Sequence, residues 1–252
     1  MLTDPWFYAA AIPALLIIGV SKGGFGGGFG VIGVPLLALV ISPTQAAAIL
    51  LPVLCVMDLV GLYSYRGTFD RGLMRVLGPG AITGIVLGAL TFAVTSEDAV
   101  RLIVGAIAVG FTVWQWVFRV RLARRVAQPS VVAGSFWATV SGYTSFVAHA
   151  GGPPLAVYLL PLRLSKDQFV GTTVVYYTVA NYVKLVPYAR LGQFPTANLA
   201  TAAVLRPLAP VGVLLGVVAQ RRLPEPLLYR VVYAALLVTG IKLLFDGSAM
   251  FR

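Results

Sequence analysis

The stretch Ser21-Lys22-Gly23-Gly24-Phe25-Gly26-Gly27-Gly28-Phe29-Gly30 lies between two apolar runs, and its reading decides the fold. Glycine at this density breaks a helix, because a backbone without Cβ atoms turns sharply and approaches its neighbours closely. Clustered N–H groups and the positive end of a following helix would make a cradle for an anion. It is not a nucleotide loop, since no Gly-Lys-Ser/Thr closes it and no strand is expected before it. Close helix packing through Gly24 and Gly28 is the structural alternative. Lys22 sharpens the question, because a lysine held inside a bilayer costs ~2.5–3.5 kcal/mol. It then needs an anionic partner, either a bound substrate or Asp58, the only carboxylate deep in an apolar segment. The plainer expectation is that Lys22 reaches cytoplasmic water at the end of the first segment.

Outward from this break the chain is apolar almost throughout. Of its 252 residues, 59% are hydrophobic and 11% charged, against about 25% charged in a soluble domain. The mean hydropathy is +0.90, so most of the outer surface must meet lipid. Ten apolar segments are read as helices, at roughly 6–20, 28–41, 46–63, 76–94, 100–118, 131–147, 152–161, 168–188, 199–218 and 228–245. Spanning a bilayer takes about 20 residues, and about 17 at the short limit. The third to fifth and eighth to tenth segments reach that length, and the first, second and seventh do not. A second break, Gly151-Gly152-Pro153-Pro154, adjoins the short seventh segment. Broken or re-entrant first helices are therefore expected in each half, a geometry stable at membrane depth only when buried in protein or lining a cavity.

The basic loop 119–129 divides the segments into two groups of five, predicting two transmembrane repeats, 1–126 and 127–252, in one integral membrane domain. Pairing Pro35 with Pro154, Asp58 with Asn181, Gly84 with Gly212, Gly88 with Gly216 and Arg101 with Arg230 gives separations of 119, 123, 128, 128 and 129. These suggest a duplication whose offset drifts one way. Five segments is an odd number, so the second half enters from the opposite face and the repeat is inverted. The two breaks can then meet near the midplane. The expected fold class is all-α, a polytopic membrane protein of two inverted five-segment repeats.

The net charge is +11. In a soluble chain this would suggest nucleic acid, but in a membrane chain basic residues collect in cytoplasmic loops, so no nucleic-acid partner is expected. Alternate loops on one side collect Lys22, Arg66, Arg71, Arg75, Arg119, Arg121, Arg124, Arg125, Arg163, Lys166, Arg221 and Arg222. The other side carries mainly Arg101, Arg190 and Arg252 beside Asp4, Glu97, Asp98 and Asp246. This puts the basic loops in the cytoplasm and both termini outside a cell inner membrane. No cleavable signal is read at Met1 to Asp4, so the run from Trp6 is expected to stay. One cysteine, Cys55, and one histidine, His149, leave no material for disulfides or a Cys/His metal site. No metal and no cofactor are expected.

In the eighth segment Thr173, Tyr177, Asn181, Lys184 and Tyr188 recur at helical spacing on one face. That stripe should line a cavity or pack on Asp58, Gly61 and Tyr65 of the third segment, where a purely structural Lys184–Asp58 ion pair is the sober alternative. Before the second break come Ser141, Tyr143, Thr144, Ser145 and His149. Ser145 and His149 are four apart, but no Gly-x-Ser-Gly accompanies them, and His149 reads as a donor to substrate, a proton-sensitive gate or a satisfied polar residue.

The run from Ser21 to Pro35 with Leu36 and Leu37, then Gln45, Pro52, Asp58, Leu59, Gly61, Tyr65 and Arg66, resembles the first half of the sulfite exporter TauE/SafE family. Gly151, Gly152, Pro153, Pro154, Leu155 and Tyr158, then Gly171, Thr172, Asn181, Lys184, Tyr188 and Gly192, resemble its second motif. The second motif often begins Gly-x-Gly-Gly-Pro, and here His149 and Ala150 precede Gly151, a departure that bears on the shape of the second cradle. The resemblance implies a secondary transporter, an exporter of sulfite, organosulfonates such as sulfoacetate, or related sulfur oxyanions, energised by an ion or proton gradient. Substrate-binding candidates are Ser21, Lys22, Gly23, Gly24, Phe25, Gly26, Gly27, Gly28, Tyr143, His149, Gly151, Gly152, Thr172, Thr173, Asn181 and Lys184. Asp58, Tyr65 and Tyr177 are candidates for coupling or gating. The expected partners are a small anionic substrate, the lipid bilayer and a second copy in a homodimer. A passive anion channel is the main alternative. An enzyme is disfavoured for want of paired carboxylates, metal ligands or a nucleophile with its base, and a partner-binding membrane subunit is a further reading.

Overall fold

The computed structural model describes residues 2–27, 30–92, 94–124, 126–219 and 225–248. Gly28, Phe29, Arg125, Arg221, Arg222 and Arg252 lie outside the described residues. Those described form helices without strands: α1 (Pro5–Gly24), α2 (Gly33–Leu37, after a 3₁₀ turn Gly30–Ile32), α3 (Pro43–Ser64), α4 (Arg71–Phe92), α5 (Glu97–Arg124), α6 (Val131–Ala148), α7 (Gly152–Leu159), α8 (Lys166–Arg190), α9 (Thr196–Leu205), α10 (Leu208–Ala219) and α11 (Glu225–Gly247).

Local chemistry sets the starts. Asp4 caps α1, accepting from Trp6 N at 2.9 Å, with Pro5 in the first turn where its missing N–H costs nothing. Ser42 caps α3 by accepting from Gln45 N, and Ser165 caps α8 by accepting from Gln168 N. α1 and α6 also end alike. Gly27 N donates to Ser21 O and Ala150 N to Thr144 O, six-residue closures that set a left-handed residue just past the helix, Gly26 at φ 67° and His149 at φ 51°. All these pairs are 123 apart (144 − 21, 149 − 26, 150 − 27, 165 − 42), while Pro35 and Pro154 are 119 apart. The separation therefore dips and recovers where a steady drift was expected, because the first break holds four more residues before its short helix and four fewer after it.

Among the described residues, four helices are long and apolar enough to cross a membrane by length and composition, or five if α9 and α10, bent by 41°, count as one span. Two expectations are corrected here. The first segment is not short: α1 runs 20 residues, through Lys22 to Gly24, and the break follows it. The ninth segment is not one straight helix, because Pro207 stands between α9 and α10 and cannot donate to the preceding turn. α8 has 25 residues but carries the buried polar stripe.

Glycine lets the helices meet. α1 packs on α10, α4 on α6, α3 on α8 and α5 on α11. A Cβ on Gly19 would lie 2.6 Å from Gly212 Cα, and one on Gly216 would run into Val20 O. In the same way a Cβ on Gly84 would run into Thr139 O, and one on Gly88 would reach 2.8 Å from Phe146 Cβ. These are small-residue interfaces of the kind that bilayers favour. The opposite faces expose Ile82, Val86, Leu87 and Leu90 on α4 and Val211, Leu214, Leu215 and Val218 on α10, apolar surface suited to lipid. The α1–α10 and α6–α4 pairings correspond if α1 is exchanged for α6 and α10 for α4, and the α3–α8 pairing is unchanged when those two are exchanged.

Candidate functional site

The polar stripe of α8 is buried along its whole length, with Thr173, Tyr177, Asn181, Lys184 and Tyr188 all under 9% exposed. It faces α3 on one side and the end of α6 on the other. From α3 comes Asp58, fully buried, whose Oδ1 accepts from Lys22 Nζ in an ion pair and whose Oδ2 accepts from Asn181 Nδ2 at 2.6 Å. Lys22 is only 6% exposed, so it belongs to the core and not to the basic loops among which its position had counted it.

Lys184 is wholly buried, but the considered Lys184–Asp58 ion pair is absent. Its three donors go to neutral acceptors: Ser145 O and Ser145 Oγ at 3.0 Å each, and His149 Nδ1 at 2.9 Å. The tautomer of His149 follows from its partners. Ala47 O, 2.9 Å from Nε2, can only accept, so Nε2 carries the proton. Nδ1 is then the acceptor that Lys184 needs, and His149 is neutral. Ser145 and His149 are thus held by Lys184 and not arranged as nucleophile and base.

A cavity of about 20 Å³ opens among Ile18, Lys22, Gly27, Gly30, Leu54, Ser145, His149, Tyr177 and Asn181. That is room for about one water molecule. Both breaks border it, and a Cβ on Gly30 would lie 3.8 Å from His149 O. Tyr177 lies against Gly27, where a Cβ would come 2.7 Å from the ring, and Lys22 Nζ is 5.7 Å from its centroid. The Tyr177 hydroxyl is buried and finds no hydrogen-bond partner among the described residues, an arrangement native interiors seldom tolerate without a ligand or water.

Other candidates act elsewhere. Thr172 Oγ1 accepts from Asp70 N at 3.0 Å, away from the cavity. Tyr143 faces an apolar groove between α5, α6 and α7. Thr173 donates to Val170 O at 2.8 Å, and its Oγ1 would lie 3.2 Å from a Cβ on Gly26. Tyr65 donates to Gly23 O, tying the end of α3 to α1. Ser21 is buried, and its carbonyl receives Phe25 N and Gly27 N. Gly151 O accepts from Ser141 Oγ at 2.6 Å.

Several backbone N–H groups of the first break are used within the turn. The N–H groups of Phe25, Gly27 and Gly30 donate to the carbonyls of Ser21, Ser21 and Gly27, so the turn consumes them. At the second break, Pro153 and Pro154 remove donors from the first turn of α7, and Leu155 N donates to Gly151 O. In the first break the described glycines supply positive φ at Gly26 and Gly27 and room for Phe169 and Tyr177. The described polar side chains lining the cavity are those of Lys22, Ser145, His149, Tyr177 and Asn181. Ile18, Leu54 and the Ala47 carbonyl were not foreseen, because nothing in an apolar run distinguishes the residues that face a cavity.

A helical chain that exposes apolar faces and buries a charged cluster between two broken helices is a multi-pass membrane protein with a polar centre. The family model for the sulfite exporter TauE/SafE family matches residues 11–243, nearly the whole chain. The protein belongs to that family, a family of membrane transporters. No curated protein and no solved structure matches it.

Proposed function

We propose that this protein exports sulfite, an organosulfonate or a related sulfur oxyanion across the cytoplasmic membrane as a secondary transporter, and that the cavity between the two breaks is its substrate site. The observation that carries the reading is the balance of charge there. Among the described residues, Lys22 and Lys184 are buried with one buried carboxylate, Asp58, beside a tyrosine hydroxyl with no partner there. Excess positive charge and an idle donor together suit an oxyanion. At about 20 Å³ the cavity is too small for a sulfonate group, so the conformation is a closed one and loading requires the breaks to move.

The halves 1–126 and 127–252 are read as inverted repeats that rock about this centre, exposing it to each side in turn. The common helix ends and the exchange of packing partners support that reading. Asp58, His149 and Lys184 are the titratable groups near enough to couple an ion or proton. The basic loops are assigned to the cytoplasm and both termini to the outside.

Proteoliposomes loaded with sulfite test the proposal. Saturable efflux, accelerated by sulfite on the opposite side, is expected, and conductance without exchange would indicate a channel instead. Tyr177→Phe should weaken anion binding by about tenfold, or about 1.4 kcal/mol, while leaving the unfolding temperature unchanged or slightly raised, since it deletes an unpaired buried hydroxyl.

A further inference from the structure

Among the described residues, the fully or nearly fully buried charges are three: Lys22, Asp58 and Lys184. The hydrogen-bond geometry makes His149 neutral. Lys22 and Asp58 cancel, leaving the ammonium of Lys184 one layer behind Ser145 and His149, with neutral acceptors only. The centre therefore carries 2 − 1 = +1.

We propose that this site selects its anion by charge number, taking one that bears a single negative charge, and that Lys184 sets this preference without touching the substrate. The inference rests on the cavity being the anion site. A closed site excludes water, so a net charge left inside is costly. A monoanion brings the centre to zero, a dianion leaves it at −1, and a neutral molecule leaves it at +1. Simple alkanesulfonates bear one negative charge and fit this rule, for sulfite the admitted species is hydrogensulfite, and sulfoacetate, whose carboxylate makes it a dianion, is disfavoured. Asn181, which donates to Asp58, and Tyr177 are near-indifferent to charge number because both present neutral dipoles. The discrimination therefore belongs to the lysine–aspartate count.

The test uses three tetrahedral sulfur compounds of similar size and different charge: dimethyl sulfone (0), methanesulfonate (−1) and sulfate (−2). Binding to the purified wild-type protein is measured by calorimetry. Methanesulfonate should bind at least about tenfold more tightly than either of the others. Asp58→Asn raises the count to +2 and should move the preference towards sulfate. Lys184→Met lowers it to zero and should weaken both anions. The double variant Asp58→Asn/Lys184→Met returns the count to +1 and should restore the methanesulfonate preference. Methanesulfonate and sulfate binding equally well to the wild type, or sulfate binding better, would overturn the charge rule while leaving the anion site standing. Binding of none of the three would overturn the site and the rule with it. The wild-type ranking decides even if a single variant does not fold.

Discussion

The two breaks end their helices with the same hydrogen bond and then diverge. In the first, the left-handed position is Gly26, where no side chain is carried, and the buried lysine nearby is matched by a carboxylate. In the second, that position is His149, a residue for which a left-handed backbone costs about 1–2 kcal/mol. The buried lysine beside it has only neutral acceptors. The histidine ring bridges Ala47 of α3 and Lys184 of α8, so strain is accepted where a side chain is needed to hold a cation in place. The lysine at the first break is neutralised by the carboxylate of α3, and the lysine of α8 behind the second break keeps its charge.

The most severe way to break this contrast is to remove each lysine in turn. Lys22→Met leaves Asp58 buried with Asn181 alone and should cost about 3–5 kcal/mol, the penalty for stranding one partner of a buried pair. Lys184→Met strands only neutral acceptors and should cost about 1–3 kcal/mol. Unfolding in detergent measures both, and equal losses would mean that the second lysine has a counter-charge after all.

A smaller effect separates the left-handed positions. Gly26→Ala adds a Cβ that meets Phe169 on a backbone that disfavours it, and should cost about 2 kcal/mol. His149→Gly relieves the backbone while losing the ring's hydrogen bonds, and should cost about 1 kcal/mol or less. Its larger consequence should be lost anion transport in the liposome assay. Stability falling further in His149→Gly than in Gly26→Ala would contradict the account of strain.

The finest test concerns what the starts of α3 and α8 share. Ser42→Ala and Ser165→Ala remove matching caps from α3 and α8, and each should lower stability by about 1 kcal/mol. Losses that differ more than twofold would show that the similar starts of the two helices are not equivalent.

Much of this was legible along the chain. Glycine and proline density announced both breaks, and the spacing of Thr173, Tyr177, Asn181, Lys184 and Tyr188 announced a buried face, since helical period depends only on local geometry. Paired Ser-x-x-Gln starts at Ser42 and Ser165 were equally visible and would have pinned the 123-residue offset. The extent of α1 was misread because glycine was taken to stop a helix, whereas packing against α10 carries α1 through Gly23. Thr172 is grouped with the centre by motif membership and Tyr143 by its place before the second break, and neither reveals which way a side chain points.

The sequence by itself determined that the solvent is lipid, that glycine and proline interrupt the chain in two places, and that Asp58 and Lys184 lie within apolar segments, because composition and period are properties of the chain alone. Only the tertiary structure decided that Asp58 takes Lys22, 36 residues away, and that Lys184 turns to Ser145, 39 residues away. Both lysines could be drawn to the same carboxylate, and which one reaches it depends on how α1, α3, α6 and α8 cross, a fact that no local pattern encodes.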